Sequence, residues 1–387
     1  MNFMAGINIG GKEVRKFPEK IVEVLKQTPI NWIRVHMLPN RKLNEPLSEK
    51  GQRGHTYLDG INYLCRNGYN IIAPLEVGDQ KNTGPVLFDD LDKFIEESYF
   101  YAACASKQIS KIIEEHHRQV IFGIENEIEP KSWILQSLPG IGWRASPESW
   151  VIQALDENLR YRRLNNILKG IKDTNSSAKT MTNINAEDPR VFLDSFWSFW
   201  GELYKYYPVP KKHSIVLDDI DWKETIDWHR ELLRIKNNLK VDYVGLDNYP
   251  NYIKKYPVYG LETGPKITEA KRLSGRQVLN TEFGYTTYRT RFGRLRFAFL
   301  GLDSGPQMQL QYFKNSLGSI ENSPSIGTFP WLLFSDPHFS DPSQRGNPEQ
   351  ENYFGLMQMD RKDNLETSPS FDYYLKWLTR RLGSQRS

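Results

Sequence analysis

Short apolar runs alternate with stretches of helical spacing along nearly the whole chain. The run over residues 119–124 has no polar alternation, which is typical of a strand buried on both faces of a parallel sheet. Eight strands of this kind are predicted, over residues 3–9, 31–37, 69–75, 119–124, 178–184, 241–246, 277–281 and 325–333. Helices are predicted between or after them, over residues 18–27, 57–67, 89–116, 147–172, 222–238 and 371–381.

This alternation predicts an α/β fold, and within that class a (β/α)8 TIM barrel formed by the whole chain as a single domain. Gly68 is expected to end the helix over 57–67, and Ser146-Pro147 to begin the helix over 147–172. A doubly wound sheet is the alternative. It is less favoured because the glycines of residues 6–11 do not have the Gly-x-Gly-x-x-Gly spacing of a dinucleotide-binding turn.

The segment over residues 188–221 is longer than one connection needs, and we expect an inserted loop and helix after the fifth strand. Its aromatic side chains are Phe192, Phe196, Trp197, Phe199, Trp200, Tyr204, Tyr206 and Tyr207. Packing onto the core is the default interpretation. A sugar-stacking platform is the second, and contact with a membrane or glycolipid surface is the least favoured.

Composition narrows the class of protein. With 387 residues, of which 39% are hydrophobic and 25% charged, the chain is typical of a soluble globular protein with one large or two medium domains. The formal net charge is +4, and the basic residues form no stripe beyond a short cluster over 289–296. Nucleic-acid binding is therefore not expected.

The sequence also carries expectations about location and cofactors. The N-terminus has neither a basic start nor a long apolar stretch, so a cytoplasmic location is expected. Cys65 and Cys104 form no disulfide framework. A metal-dependent hydrolase would need a His-x-His pair at a strand end, whereas the histidines cluster only at His116-His117 on a predicted helix. We expect neither a metal nor an organic cofactor.

Chemically useful side chains stand at the ends of the predicted strands. The carboxyl ends of barrel strands are where barrel enzymes hold their reactive groups. The candidates are Arg34, His36, Asn126, Glu127, Asp247, Tyr249, Glu282 and Trp331. Because these strand ends meet at one rim of a barrel, the candidates are expected to form one site.

Two of the candidates are glutamates on different strands, Glu127 and Glu282. Retaining hydrolysis of a glycosidic bond needs such a pair, one carboxylate as nucleophile and one carboxyl group as acid and base, about 5 Å apart. Arg34 and Tyr249 are expected to keep the nucleophile ionised, by charge and by a hydrogen bond.

The other candidates are assigned to substrate binding. Asn126 is expected to bind a hydroxyl beside the reacting carbon, and Trp331 to offer a flat face to the sugar ring. His36 fits a substrate contact as well as a buried structural histidine, and Asp247 fits a turn residue as well as a contact. Either neighbour of the same type, at position 125 or 129, could replace Glu127 as the acid.

These motifs resemble those of the clan A glycoside hydrolases. Asn126-Glu127 after the fourth strand and Glu282 after the seventh match the clan's two glutamates. Trp-Ile-Arg-Val-His at 32–36 resembles the clan's second strand, and Val-Asp-Tyr-Val-Gly-Leu-Asp-Asn-Tyr at 241–249 its sixth. The resemblance implies a retaining β-glycosidase on a (β/α)8 barrel, with Glu127 as acid and base and Glu282 as nucleophile. Its substrate would be a small or oligosaccharide β-glycoside.

The C-terminal region is most similar to family 1 of that clan, through residues 327–331 and 352–360, and implies an exo-acting β-glucosidase or β-galactosidase. Three features depart from that family. Only Asn8 stands where the family has a glutamine, and residues 75–79 and 335–339 lack its His-Trp and Glu-Trp pairs. An endo-acting β-glucanase or β-mannanase of the clan is the alternative, and a non-catalytic carbohydrate-binding barrel a more remote one.

Overall fold

Eight parallel strands close into a barrel in the computed structural model, in the order in which they follow along the chain. The structure describes residues 3–36, 47, 50, 54–76, 91–130, 156–186, 222–225, 227–249, 260–285, 287, 305–334, 354–359 and 365–384. The strands are β1 Met4–Ile9, β2 Trp32–Val35, β3 Asn70–Leu75, β4 Val120–Ile124, β5 Lys179–Asn185, β6 Tyr243–Asn248, β7 Gln277–Phe283 and β8 Ser325–Pro330. The predicted (β/α)8 barrel is confirmed, and all eight predicted strands overlap observed ones.

Helices surround the strands in the part of the chain that the structure describes. They are α1 Gly11–Lys16, α2 Pro18–Leu25, α3 Tyr57–Arg66, α4 Leu91–Glu115, α5 Glu157–Thr174, α6 Trp222–Thr225, α7 Trp228–Asn238, α8 Thr263–Ser274, α9 Pro306–Glu321 and α10 Pro369–Gly383. A short antiparallel pair, β9 Met357–Met359 and β10 Leu365–Thr367, precedes α10.

Two predicted helices begin or continue differently from the expectation. A continuous helix over 147–172 is wrong, because Asp156 has an extended backbone and caps α5 by accepting a hydrogen bond from the Leu159 N–H at 3.0 Å. The expected start at Ser146-Pro147 lies outside the described residues, as does the segment 188–221. The helix predicted over 222–238 is two helices, since Asp227 caps α7 in the same way.

The sequence pattern does not predict α1, α8, α9 or the pair β9–β10. Much of the buried face of α8 and α9 is small or polar, with Gly264, Ser274, Gln309 and Ser316 among its residues. Apolar periodicity is therefore weak there. The predicted end of α3 is confirmed, since Gly68 has a φ of 102° two residues after Arg66.

A layer of the barrel interior, below the polar strand ends, is filled by one apolar side chain from each strand. This layer consists of Met4, Trp32, Ile72, Ile121, Met181, Tyr243, Leu279 and Phe329. Gly6 leaves room for it, because a Cβ at that position would lie 2.0 Å from the Phe329 ring. The apolar layer closes one end of the barrel, so polar side chains collect at the other end, where the strands finish.

The barrel closes where β1 meets β8, and the register there joins Met4 to Gly327 and Ala5 to Thr328. Tyr374 of α10 lies across this closure. Its hydroxyl is shared between the carbonyl of Gly6, at 2.6 Å, and the carbonyl of Thr328, at 3.0 Å. The last helix is thus tied by a hydrogen bond to both the first and the last strand.

Within the described residues, no helix is both long enough and apolar enough to cross a bilayer.

Replacing Tyr374 by phenylalanine should weaken the barrel closure. The residue is fully buried, and loss of its hydroxyl removes a donor from the Gly6 and Thr328 carbonyls, so we expect the free energy of unfolding to fall by about 1–3 kcal/mol. Urea denaturation measures the change. The control is Tyr373→Phe on the same helix, a half-buried residue whose ring lies beside Lys314. Equal stability losses in both variants would contradict the role of Tyr374.

Candidate active site

Glu282 lies at the centre of the polar end of the barrel, with only 4% of its surface exposed. One carboxylate oxygen, Oε1, accepts a hydrogen bond from Arg34 Nη1 at 2.5 Å, and Oε2 accepts one from the Tyr249 hydroxyl at 2.5 Å. His36 Nε2 lies 3.3 Å from Oε1. Residues from β2, β6 and β7 therefore meet at one carboxylate, as the sequence predicts for Arg34, Tyr249 and Glu282.

An irregularity in the sheet turns Glu282 to this position. The register between β6 and β7 pairs Leu246 with Asn280 but Asp247 with Glu282, so Thr281 is an extra residue in β7. Such bulges re-aim the side chains that follow them. The Thr281 hydroxyl donates to Asp247 Oδ1 at 2.7 Å, which holds the bulge in place.

Arg34 connects the carboxylate to two other strands. Its side chain is fully buried. Nη1 donates to Asn8 Oδ1 at 2.9 Å, and Nη2 donates to Asn126 Oδ1 at 2.6 Å. Asn8 in turn donates through Nδ2 to the carbonyls of Thr281 and Phe329, at 2.8 and 3.0 Å. One guanidinium thus joins β1, β7 and the turn after β4.

Asn126 is held with its amide in one orientation. Its Oδ1 accepts from Arg34 Nη2 and also from Asn183 Nδ2 at 2.8 Å. Two donors use the acceptor capacity of the amide oxygen, so Nδ2 is the group of Asn126 that is oriented to donate elsewhere.

The three glutamates of the turn after β4 have different surroundings. Glu125 is buried and pairs with Arg163 of α5. Glu129 is buried and accepts from the Asn185 N–H at 3.1 Å. Glu127 is half-buried, and its charge lies close enough to Tyr249 to contribute to the raised pKa of that phenol. Of the three glutamates of the turn, Glu127 is thus placed near Tyr249, the residue that donates to Glu282.

The charges around Glu282 set its ionisation. Burial by itself would raise the pKa of its carboxyl group. Arg34, together with the hydrogen bonds from His36 and Tyr249, outweighs burial and lowers the pKa to about 2. Burial and the Glu282 charge raise the pKa of Tyr249. At neutral pH the arrangement is an ionised carboxylate that accepts from a protonated phenol.

His36 and Trp331 form one side of the site. Burial, and then the Arg34 charge, lower the pKa of His36. Its Nε2 lies 2.5 Å from Arg34 Nη1, and its Nδ1 lies 3.8 Å from Glu76 Oε1. The Trp331 ring stands edge-on to the imidazole with 4.4 Å between centroids. Trp331 is half-buried, and its backbone N–H donates to the Phe283 carbonyl at 2.8 Å.

Asp247 lies beneath the site, fully buried. Thr281 donates to one of its oxygens, and Asn183 Nδ2 donates to the other at 2.5 Å. Burial, and then the Glu282 charge, raise its pKa well above the usual value. A direct contact with substrate stays a prediction, since both oxygens bind protein donors.

Three neighbours of the site were not among the candidates from the sequence, namely Asn8, Glu76 and Asn183. Asn8 and Asn183 are amides inside strands that are otherwise largely apolar. A buried amide needs hydrogen-bond partners. An amide within an apolar strand was therefore the sequence feature that could have pointed to polar neighbours in the barrel. Glu76 follows β3, but the sequence alone offered a solvated loop role as readily as a contact.

Among the described residues, no group of three or more His, Cys, Asp or Glu side chains is placed to hold a metal ion. The arrangement around Glu282 is a buried, ionised carboxylate that is held by Arg34 and Tyr249.

Comparison with known proteins gives the fold a context. No family model matches the sequence, and no curated protein matches it. Among solved structures, the exo-β-1,4-mannosidase Op5Man5 from Opitutaceae bacterium strain TAV5 is 14% identical with a TM-score of 0.60. The alignment covers 99% of this chain and 60% of the mannosidase. This chain therefore spans less than two thirds of that enzyme's length.

Two further similar structures are a GH53 catalytic domain from Ignisphaera aggregans and a β-glucosidase from Thermotoga maritima with bound deoxynojirimycin. Each is 14% identical, with TM-scores of 0.53 and 0.62. The alignments cover 97% of this chain and 95% of the GH53 domain, and 98% of both this chain and the β-glucosidase. The chain has the fold of these glycosidases. At this identity the likeness concerns the barrel and not the activity.

The lowered pKa of Glu282 should appear in the pH dependence of stability. A carboxyl group whose folded-state pKa is depressed stabilises the fold when ionised. The contribution is complete above the usual value of 4.5 and is lost as the pH falls to about 2. Urea unfolding of the parent and of Glu282→Gln, from about pH 2.5 to about pH 7, measures this contribution to the free energy of unfolding. The difference between the two proteins should shrink below about pH 4.5. A difference that stays constant over this range would contradict the assignment.

Proposed function

We propose that this protein is a retaining β-glycosidase that acts through a covalent glycosyl-enzyme. The observation that carries the proposal is the ionised Glu282, held by Arg34 and Tyr249, with Arg34 also bound to Asn126 beside Glu127. A buried carboxylate kept charged by two donors has the form of a nucleophile. Similarity of fold to enzymes named as mannosidase and β-glucosidase supports the same class.

Two displacements complete the proposed reaction. In the first, Glu282 attacks the anomeric carbon, and the bond to the leaving oxygen breaks as Glu127 gives that oxygen its proton. In the second, Glu127 takes a proton from water, the water oxygen attacks the same carbon, and the bond to Glu282 breaks. The sugar leaves with its original β configuration because each step inverts the carbon once.

The neighbouring side chains would orient the sugar. Asn126 is proposed to donate through Nδ2 to the hydroxyl beside the anomeric carbon, since its oxygen already accepts from Arg34 and Asn183. Trp331 would provide an apolar wall for the ring. His36, which lies between Glu282 and Trp331, would fix the relative position of the nucleophile and that wall.

Cleavage of single sugars from the chain end is the proposed mode of action. The names of two similar structures, an exo-β-1,4-mannosidase and a β-glucosidase, support it, as does the family 1 resemblance of the C-terminal region. An endo-acting glucanase or mannanase of the same fold is the alternative. No metal or organic cofactor is part of the proposal, and a cytoplasmic location stays a prediction.

Hydrolysis of aryl β-glycosides tests the proposed function. A panel of 4-nitrophenyl β-glucoside, β-galactoside and β-mannoside should include at least one substrate. NMR at early times should show the β anomer of the free sugar, because two inversions restore the configuration. An α anomer as first product would exclude the mechanism. Release of internal fragments from a β-glucan or β-mannan, without cleavage of the aryl monosaccharides, would favour the endo-acting alternative.

Azide distinguishes the two glutamates. Glu282→Ala should lose activity by on the order of 10⁴-fold or more, because the nucleophile is absent. Added azide should restore turnover and yield an α-glycosyl azide by a single displacement. Glu127→Ala should retain activity on dinitrophenyl glycosides and yield a β-glycosyl azide, since azide then attacks the glycosyl-enzyme. The opposite stereochemistry in each variant would reverse the two roles.

A further inference from the structure

The turn after β4 has an unusual backbone. Glu125 and Glu127 both have positive φ angles, 59° and 47°. Residues other than glycine rarely adopt this left-handed backbone conformation, and it persists where surrounding contacts enforce it. Two such residues on either side of Asn126 indicate that the direction of Glu127 depends on the contacts that hold this turn.

The contacts that hold the C-terminal end of the turn come from β5. The Ile128 N–H donates to the Asn183 carbonyl at 3.1 Å, and Glu129 accepts from the Asn185 N–H at 3.1 Å. These bonds fix the chain just after Glu127 but do not determine the conformation at Glu125.

The contact that holds the N-terminal end of the turn comes from helix α5. Asn126 points into the barrel towards Arg34, whereas Glu125 points out of the barrel and forms an ion pair with Arg163 Nη2. Both partners are almost completely removed from water, with 3% of Glu125 and 1% of Arg163 exposed. A buried charge pair has strong geometric preferences, because a displaced carboxylate would be left without a counter-charge.

We propose that Arg163 is a positioning residue for the acid and base Glu127. By holding the Glu125 carboxylate outside the barrel, Arg163 keeps Glu125 in its left-handed conformation and so directs Glu127, two residues later, towards the substrate. The inference rests on the proposed function of Glu127, and it adds a helix residue that touches neither substrate nor nucleophile.

The dependence of rate on the leaving group tests this role. A general acid matters for a poor leaving group such as an alkyl alcohol or phenol, and hardly at all for 2,4-dinitrophenolate, which leaves without a proton. In Arg163→Met, kcat/KM for phenyl or alkyl β-glycosides should fall by on the order of 100-fold. The value for the dinitrophenyl glycoside of the same sugar should stay within about 3-fold of the parent's, because the nucleophile is intact.

The double variant Glu125→Gln, Arg163→Met provides a second test in case Arg163→Met alone does not fold. It removes both charges, so no buried charge is left unpaired. The proposal predicts the same leaving-group dependence in this variant. It also predicts that azide raises kcat on the dinitrophenyl glycoside, as for an enzyme whose base is misplaced.

Helix α5 supplies its own control. Arg160, one turn before Arg163, is equally buried, with 1% exposed, and pairs with Glu231 of α7 at 3.0 Å. This pair does not involve the turn after β4. Arg160→Met and the double variant Glu231→Gln, Arg160→Met should lower stability, but should change kcat/KM by the same factor for all leaving groups.

The outcomes separate the two proposals. Equal losses for good and poor leaving groups in the Arg163 variants, as in the Arg160 variants, would overturn the positioning role and leave the proposed function standing. A parent protein without activity on any aryl β-glycoside or β-glycan would overturn the proposed function and the positioning role together. A selective loss with poor leaving groups supports both.

Discussion

The buried ion pair between Arg34 and Glu282 is the interaction on which the polar end of the barrel depends. Removing both charges from water is costly, and the cost is offset only if further hydrogen bonds satisfy both groups. Asn8 and Asn126 accept from the guanidinium, and Tyr249 donates to the carboxylate. Since these partners come from separate strands, the full set of contacts is present only in the closed barrel.

The same pair determines what the site can do. A carboxylate with a pKa near 2 stays charged at any physiological pH, and it is surrounded by protein donors in place of water. Such an environment needs no rearrangement when charge moves during a reaction. Its protonated neighbour Tyr249 is kept neutral by burial and by the Glu282 charge itself. Each group thus maintains the ionisation state that its partner needs.

The three glutamates of the turn after β4 have different structural surroundings. Three glutamates occur within five residues, and the structure buries two of them against Arg163 and the Asn185 N–H. The third, Glu127, is half-buried and lies near Tyr249. Asp247 is a comparable case, because a carboxylate that appears at a strand end in the sequence is enclosed beneath the site by Thr281 and Asn183.

Strand positions were predictable because parallel barrel strands are buried on both faces and read as continuous apolar runs. Helices α2 and α3 were predictable because each buries one face, so that apolar residues recur at helical spacing. The pattern failed at α8 and α9, whose contact faces include small and polar residues. It also failed at Asp156 and Asp227, where a single capping side chain begins a helix inside a stretch of helical spacing.

The sequence by itself determined the barrel and the strand ends that carry Arg34, Asn126, Glu127, Tyr249 and Glu282, because periodicity and residue type are local properties of the chain. Only the tertiary structure decided which two glutamates after β4 are buried against Arg163 and the Asn185 N–H, and that both oxygens of Asp247 are bound by Thr281 and Asn183. It alone brought in Asn8, Asn183 and Arg163. These outcomes depend on contacts between residues far apart in the chain, where burial and counter-charges select one arrangement, and no local pattern encodes them.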